Sequence, residues 1–404
     1  MIRRAIIICA LGYFIDVFDI QLFTVLRVPS LMDIGVAPDR LASVGGFIFG
    51  AQMFGMVLGG FVWGWLGDRV GRTKALYGSI LIYSLGTLVC SFVHDPVVYG
   101  LLRFVTGFGL SGEVGAAVVL VAELMSPKER GWGIIIIGGI GYLGPACAVL
   151  TAFLLDWRQT YIAAGILGLL LLALRTRLAE SSLFQRIDHH QSLGDFWKLF
   201  ARPKAFTTLV CCLLMASPAI FAWSLLNFFS MEFGRAVLTP DSSFNQKTCL
   251  FIFFLGASCG DVLSGVTTQF LQSRRKAMTA ALLAGAIASA IYLLAMPEIK
   301  VSTTTLYITY FILGAASGFW ALATLMTSEH FGTNVRATSA IVMLNLLRGL
   351  TIPIIFAFQQ LQGLTTSVHA AALIGFVSYA AAFLALRHLR ETHGLDLDYV
   401  QRPE

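Results

Sequence analysis

The chain has 404 residues, of which 57% are hydrophobic and only 12% are charged, whereas roughly a quarter of the residues in a soluble domain are charged. Because so few charges would not cover a globule of this size, the composition excludes an ordinary soluble protein and indicates that lipid is the solvent. The formal net charge of +6 is attributed below to an asymmetry between loops, and no nucleic-acid partner is expected.

Twelve apolar runs follow one another along the chain, and they approach or exceed the ~20 residues that a helix needs to cross a bilayer. Several contain Gly or Pro, which lipid-embedded helices tolerate when neighbours satisfy the freed backbone groups. The seven cysteines have no zinc-like or redox spacing and are expected to be small core residues. The predicted spans one to twelve are 5–27, 41–66, 75–93, 97–122, 132–155, 159–174, 205–231, 247–270, 277–296, 303–328, 337–361 and 366–387.

Basic residues are concentrated in alternate loops. They precede span one, follow spans two, four, eight and ten, and recur through 175–204, whereas the turn at His94-Asp95 and the loop after span eleven contain no Lys or Arg. Since cytoplasmic loops carry the excess of Lys and Arg, both termini are predicted to be cytoplasmic. No asparagine heads an Asn-x-Ser/Thr sequon, which favours a bacterial inner membrane.

The stretch 175–204 is the one polar linker. It predicts an N-terminal six-helix bundle at 1–174, a cytoplasmic linker at 175–204, a C-terminal six-helix bundle at 205–387 and a cytoplasmic tail at 388–404. Aromatic residues around Trp197 fit either a short helix on the membrane surface or a plain solvated connection.

An internal repeat supports two homologous halves. Glu123 and Arg130 at the end of span four have the same seven-residue spacing as Glu329 and Arg336 at the end of span ten. Two glycine-rich stretches match in the same register. The fold class predicted is therefore an all-α membrane protein with twelve transmembrane helices in two pseudo-symmetric six-helix bundles, with a substrate site at their interface.

The loop from Gly64 to Lys74, Gly-Trp-Leu-Gly-Asp-Arg-Val-Gly-Arg-Thr-Lys, resembles the signature loop of the major facilitator superfamily. Arg103-Phe-Val-Thr-Gly-Phe-Gly109 resembles the second motif of that superfamily. The resemblance covers almost the whole chain and implies alternating access by two rocking bundles. It also implies a cytoplasmic conformational latch, although Gln269 replaces the signature Asp in the second half. The implied latch residues are Asp68, Arg69, Arg72, Glu123, Arg130, Glu329 and Arg336.

Charged residues inside the spans indicate function, because each costs ~2.5–3.5 kcal/mol or more at a helix centre without a partner or cavity. Asp16 and Asp19 lie three residues apart, on roughly one face of span one. Asp19 and Arg103 of span four reach similar depths. Protonation of the carboxylate would free the arginine. The pair is thus either a proton-coupling switch or a static structural ion pair.

The Asp-x-x-Asp of span one resembles an element of aromatic-acid/proton symporters, and a similar one occurs in phosphate/proton symporters. In sugar/proton symporters the matching carboxylate and span-four arginine form the proton-coupling pair, which maps onto Asp19 and Arg103. Glu113 matches an acidic position in span four of organic-acid and phosphate symporters. Its alternatives are a second proton site, a substrate contact or a structural hydrogen bond.

Arg348, near the centre of span eleven, requires an anion. One alternative is a structural pair with Asp261 of span eight. The other is an anionic substrate, because Arg336 and Arg348, twelve residues apart, resemble span eleven of organic-anion transporters. Trp223, Asn227, Trp320 and Asn345 are further substrate-binding candidates, with plain packing as the alternative for the aromatic residues.

The favoured function is proton-coupled uptake of a small organic anion, with an aromatic or sugar acid as the expected class. Asp19, Asp16, Arg103 and Glu113 are the proton-coupling candidates, and Arg348 and Arg103 supply positive charge to the substrate. The alternative is a proton-coupled efflux antiporter of drugs or metabolites. No enzymatic activity, cofactor or metal site is expected, and the partners are the substrate, protons and the lipid bilayer around a monomer.

Overall fold

The computed structural model describes residues 2–113, 120–121, 125, 130–175, 200, 202–240, 244–332 and 336–395. Within these ranges the chain is almost entirely helical, and eleven described segments are long and apolar enough to cross a membrane. The remaining span, span four, is described as the shorter apolar helix Pro96–Leu110. The predicted all-α fold of twelve spans in two bundles is confirmed.

The first half begins with a span-one helix longer than predicted, because it continues through Pro29 to Asp33. Span four begins with Pro96 at its first turn, where the missing N–H costs nothing, and the Asp95 side chain accepts from the N–H groups of Val97 and Val98. Spans one to six are Ile2–Asp33, Leu41–Arg69, Arg72–Cys90, Pro96–Leu110, Arg130–Gly141 continued by Leu143–Leu154, and Trp157–Arg175.

The second half contains more irregular helices. Span seven passes into a π-helical turn, Phe221–Asn227, just after Pro218. Span eleven breaks after Gly349 because Pro353 has no N–H to donate to that carbonyl. Spans seven to twelve are Pro203–Ile220 with Phe221–Asn227, Gln246–Leu271, Arg274–Ala290 continued to Ile299, Thr303–Ser317 with Trp320–His330, Arg336–Gly349 with Thr351–Gln362, and Ser367–His388.

Glycines set the distances between helices at equivalent places in both halves. In the first half, a Cβ on Gly107 of span four would overlap the backbone of Gln52 in span two. In the second half, a Cβ on Gly314 of span ten would overlap the backbone of Phe253 in span eight. Close backbone approach is therefore the packing rule of both bundles.

The structure describes little of the predicted linker but includes the start of the predicted tail. Residues 176–199, most of the predicted linker, lie outside the described part of the chain, so the linker remains a prediction. The start of the predicted tail is described and packs against the body, since Leu389 and Thr392 are buried. We use "terminal face" for the end of the molecule that carries the start of span one, the end of span twelve and the turns after spans two and eight.

Candidate functional site at the interface of two bundles

Asp19 and Arg103 form an ion pair inside the first bundle. Arg103 Nη1 lies 3.0 Å from Asp19 Oδ1, and both side chains are buried. Arg103 also donates through Nη2 to the backbone oxygen of Asp19 at 3.1 Å and through Nε to Gln52 Oε1 at 3.3 Å. The structure thus brings together the two residues that the sequence placed at similar depths.

Polar and aromatic groups surround this pair. The Thr87 hydroxyl donates to the other carboxylate oxygen of Asp19, and the Arg103 guanidinium lies 5.6 Å from the centre of the Tyr161 ring. Tyr161 in turn hydrogen-bonds to Tyr99 at 2.6 Å. Hydrogen bonds and a ring face offset the cost of burying both charges.

Asp16 and Arg348 form a second ion pair, which joins the two bundles. Arg348 Nη2 lies 2.9 Å from Asp16 Oδ2, and the two side chains are 5% and 0% exposed. The alternative that Arg348 pairs with Asp261 is therefore wrong in this conformation. Span one of the first bundle presents Asp16 to span eleven, whereas Asp261 lies against span five and the start of the second helix of span ten.

Glu113 and Asn345 lie near this pair. Glu113 is buried and within electrostatic range of Asp16. Asn345 Nδ2 donates to the Ser111 backbone oxygen at 2.8 Å across the bundle interface and to Ile341 of its own helix. Asn345, predicted as a substrate contact, thus links spans four and eleven in this conformation.

A small cavity lies between the bundles, on the side of Asp16 away from the terminal face. Its volume is about 10 Å³, roughly the space that one water molecule needs. Two predicted residues, Trp223 and Asn227, line it from the π-helical turn of span seven, and Trp320 packs edge-on against Trp223 with ring centres 6.3 Å apart. The lining residues are Gln21, Thr24, Phe49, Trp223, Ser224, Asn227, Phe228 and Leu250.

Several polar atoms of this interface have spare hydrogen-bonding capacity. Asn227 is buried, and its Oδ1 accepts no hydrogen bond from the described residues. π-Helical turns are frequent at functional sites because they displace side chains from the regular helical register. The cavity therefore combines aromatic walls with amide and hydroxyl groups. The part of the chain that the structure describes contains no group of His, Cys, Asp or Glu side chains that would hold a metal ion.

The predicted latch residues are only partly described. Glu123 lies outside the described residues, and for Asp68, Arg72 and Arg130 the backbone alone is described. The Arg69 guanidinium lies 4.7 Å from the centre of the Trp65 ring. Glu329 is bound by Arg274 at 3.4 Å, with both side chains buried, and Arg336 donates to the Ser328 backbone oxygen at 3.3 Å.

The terminal face contains a carboxylate that sequence reasoning missed. Glu391 of the tail accepts hydrogen bonds from the Ser273 hydroxyl and from the backbone N–H of Arg274 at 2.8 Å and of Arg275 at 3.3 Å. It therefore caps the first turn of span nine. Nothing in the local sequence marks this contact, because residues 273 and 391 are distant along the chain. Sequence reasoning also missed Gln21, Gln52 and Phe49, because uncharged residues do not stand out within apolar runs.

Comparisons with known proteins agree with this architecture. The sequence model of the Major Facilitator Superfamily matches residues 9–354. The "Probable 4-methylmuconolactone transporter" of Cupriavidus pinatubonensis is 26% identical over 97% of this chain and 91% of its own length. The 3-(3-hydroxy-phenyl)propionate transporter of Escherichia coli is 27% identical over 72% of this chain and 71% of its own length. A Bacillus subtilis relative is matched over only 60% of its length.

Among solved structures, the proton:xylose symporter XylE bound to 6-bromo-6-deoxy-D-glucose is similar with a TM-score of 0.75. The match covers 98% of both chains at 16% sequence identity. At this identity the likeness establishes the fold and not the substrate.

Proposed function

Because the chain belongs to the Major Facilitator Superfamily, we propose that it is a secondary transporter that takes up a small organic anion together with protons by alternating access. The observation that carries this proposal is the buried ion pair between Asp16 of one bundle and Arg348 of the other. The proposed setting is a bacterial inner membrane with both termini cytoplasmic and one chain as the transport unit.

The Asp16–Arg348 pair makes proton binding and anion binding cooperative. While Asp16 is charged, it occupies Arg348, and an anionic substrate would have to displace it. Protonation of Asp16 removes its attraction for the guanidinium and leaves Arg348 in need of another anion. The substrate carboxylate supplies one, since Arg binds carboxylates through paired N–H donors. A protein in which the proton and the anion favour each other's binding is a symporter.

The Asp19–Arg103 pair has a different proposed role, because it lies within one bundle. Protonation of Asp19 would weaken its bond to Arg103 and loosen span one from spans two and four. Span one also carries Asp16, so a change at Asp19 reaches the interface through one helix. Glu113, within electrostatic range of Asp16, is a further candidate for binding a proton.

The side chains that line the cavity suit the hydrophobic part of the proposed substrate, which can enter only when the bundles move apart, because the cavity of about 10 Å³ is too small for it in this conformation. Trp223, Phe49 and Phe228 offer ring faces, while Asn227 and Gln21 offer amide groups. Such a lining suits a planar ring with a hydroxyl or carbonyl substituent. Two relatives are named as transporters of 3-(3-hydroxy-phenyl)propionate and 4-methylmuconolactone, which combine a ring with a carboxylate.

The proposed latch lies on the terminal face, which is the cytoplasmic face in this orientation. Its described part is the Arg274–Glu329 pair in the second bundle, together with Arg69 and Arg336. We expect the charges of this latch to stabilise the conformation closed to the cytoplasm.

The test is uptake into proteoliposomes with an imposed inward proton gradient and a panel of aromatic and aliphatic carboxylates. We expect an acid that accumulates in the wild type and fails to accumulate in Arg348→Ala, Asp16→Asn and Asp19→Asn. The matched controls are Arg235→Ala and Asp39→Asn, which change exposed residues and should retain uptake. If no acid accumulates while a cationic or neutral drug leaves against its gradient, the protein is an efflux antiporter instead.

A further inference from the structure

Asp261 of span eight is a buried carboxylate that the Asp16–Arg348 mechanism leaves unused. Its side chain is 1% exposed. Oδ1 accepts from the backbone N–H of Ala321 at 3.4 Å, at the start of the helix Trp320–His330. Oδ2 accepts no hydrogen bond from any described residue. Among the described ion pairs, Arg348 is paired with Asp16, so Asp261 is not neutralised by that arginine.

The carboxylate lies in a seam between the two bundles. A Cβ on Gly138 of span five would lie 2.9 Å from Cβ and 3.0 Å from Oδ2 of Asp261. Next to it, the Ser258 hydroxyl donates to the Gly139 backbone oxygen at 2.6 Å. The seam is therefore closed by backbone and small side chains, and Asp261 is enclosed only while spans five and eight are together.

The groups that interact with Asp261 come from three spans. Span ten contributes the backbone N–H groups of Trp320 and Ala321. Spans one and five contribute Tyr13 and Tyr142, whose rings pack edge-on with centres 6.0 Å apart and which both interact electrostatically with Asp261. Tyr13 also interacts electrostatically with Asp16 and with Arg348 of span eleven. Tyr13 is thus within electrostatic range of both polar clusters.

We propose that Asp261 is a proton-binding site of the second bundle, protonated while the seam between spans five and eight is closed and deprotonated when the seam opens to water. A buried carboxylate without a cation neutralises itself by binding a proton, and the O–H then resides on Oδ2, the oxygen left without a donor. Opening the seam hydrates the carboxylate, which favours its charged form and releases the proton. By linkage, binding that proton favours closure of the bundles.

This inference rests on the proposed symport, to which it adds a proton carried by the second bundle. It predicts that Asp261→Asn, which imitates the protonated acid, lowers the number of protons moved per substrate molecule by about one. Exchange of substrate across the membrane without a gradient should continue, because the neutral amide allows the seam to open and close. Asp39→Asn, in an exposed turn, should leave the ratio unchanged.

The experiment has two readouts. Infrared difference spectra of the purified protein detect the carbonyl stretch of a protonated acid, and part of that band should be lost in Asp261→Asn. Proton and substrate fluxes in proteoliposomes then give the ratio. Loss of the band with a lower ratio supports the proposal. An unchanged band overturns the site, and a lost band with an unchanged ratio overturns its coupling role.

Failure of this inference is distinguishable from failure of symport itself. The infrared readout needs no substrate, whereas the proposed function fails when the wild type moves no protons with any acid. If Asp261→Asn does not fold, Asp261→Glu retains a titratable acid one methylene longer. The midpoint at which the acid band titrates should then shift from the wild-type value, and an unchanged midpoint overturns the proposal.

Discussion

Two arginines with similar surroundings have different proposed roles because of where their partners lie. Arg103 and Asp19 belong to one bundle, so their bond does not depend on how the bundles are arranged. Arg348 and Asp16 belong to different bundles, so we expect their bond to be made and broken as the bundles move. Stability is therefore expected to depend more on the first pair and transport more on the second.

Removing one member of the Asp19–Arg103 pair should be more harmful than removing both. Arg103→Met leaves Asp19 buried without its cation, which costs about 3–5 kcal/mol. The double variant Asp19→Leu with Arg103→Met has no orphaned charge and should regain most of the lost stability. Thermal unfolding of the purified protein in detergent measures this, with Arg235→Met at an exposed position as the control. A double variant as unstable as Arg103→Met would contradict the argument.

The sequence predicted charged residues of the site better than uncharged ones. A charge inside an apolar run must be satisfied, so Asp16, Asp19, Arg103 and Arg348 were identifiable without a structure. The sequence did not identify which anion pairs with Arg348. Asp16 and Asp261 are both distant from it along the chain, and which of the two faces Arg348 depends on how each helix is rotated about its axis. Burying the uncharged Gln21 has no comparable free-energy cost, so the sequence did not mark it as a residue of the site.

At the scale of helices, the twelve spans were predictable from hydropathy, but their breaks required the structure. Pro353 explains the break in span eleven after Gly349. Span ten breaks at Gly318, where a Cβ would overlap the backbone oxygen of Ala257 and lie 2.7 Å from the backbone nitrogen of Asp261 in span eight. No local proline marks that second break. It arises from a close contact between spans eight and ten, which periodicity along one helix cannot reveal.

The tail and span nine form one structural unit through Glu391. Its partial burial raises the pKa, but hydrogen bonds from Ser273 and from the backbone N–H of His393, Arg274 and Arg275 outweigh this and hold the pKa below its ordinary value. A carboxyl whose folded pKa is depressed stabilises the fold at pH values above its unfolded pKa, and this contribution is lost as the pH falls through the folded pKa.

Glu391→Gln should therefore lower the melting temperature by a similar amount at every pH from about 6 to 8, because Glu391 stays ionised throughout that range. The difference from the wild type should shrink only below the ordinary pKa of a glutamate, about 4.5. Melting curves across pH measure it, with Glu298→Gln at an exposed position as the control. A difference that already disappears between pH 8 and 6 would contradict the assigned cap.

At the scale of the molecule, contacts between the bundles lie on both sides of the Asp16–Arg348 pair. On the terminal face, a Cβ on Gly64 of span two would lie 3.0 Å from Cα of Thr338 in span eleven. Toward the opposite face, Phe49 stacks on Phe228 with ring centres 5.9 Å apart. Alternating access requires that each set of contacts opens while the other stays closed.

A reversible cross-link tests whether the bundles must separate at the terminal face during transport. With the seven native cysteines replaced by serine, Gly64→Cys and Thr338→Cys are close enough to form a disulfide. Oxidation should abolish uptake and a reducing agent should restore it, because the link holds spans two and eleven together and prevents release on that side. The matched control is Gly86→Cys with Thr106→Cys, where the Gly86 Cβ would lie 2.8 Å from Thr106 Oγ1 within one bundle. Because that disulfide joins two helices of the same bundle, it should leave uptake unchanged. Continued uptake with the Gly64–Thr338 link fully formed would mean that transport does not require the bundles to separate at this face.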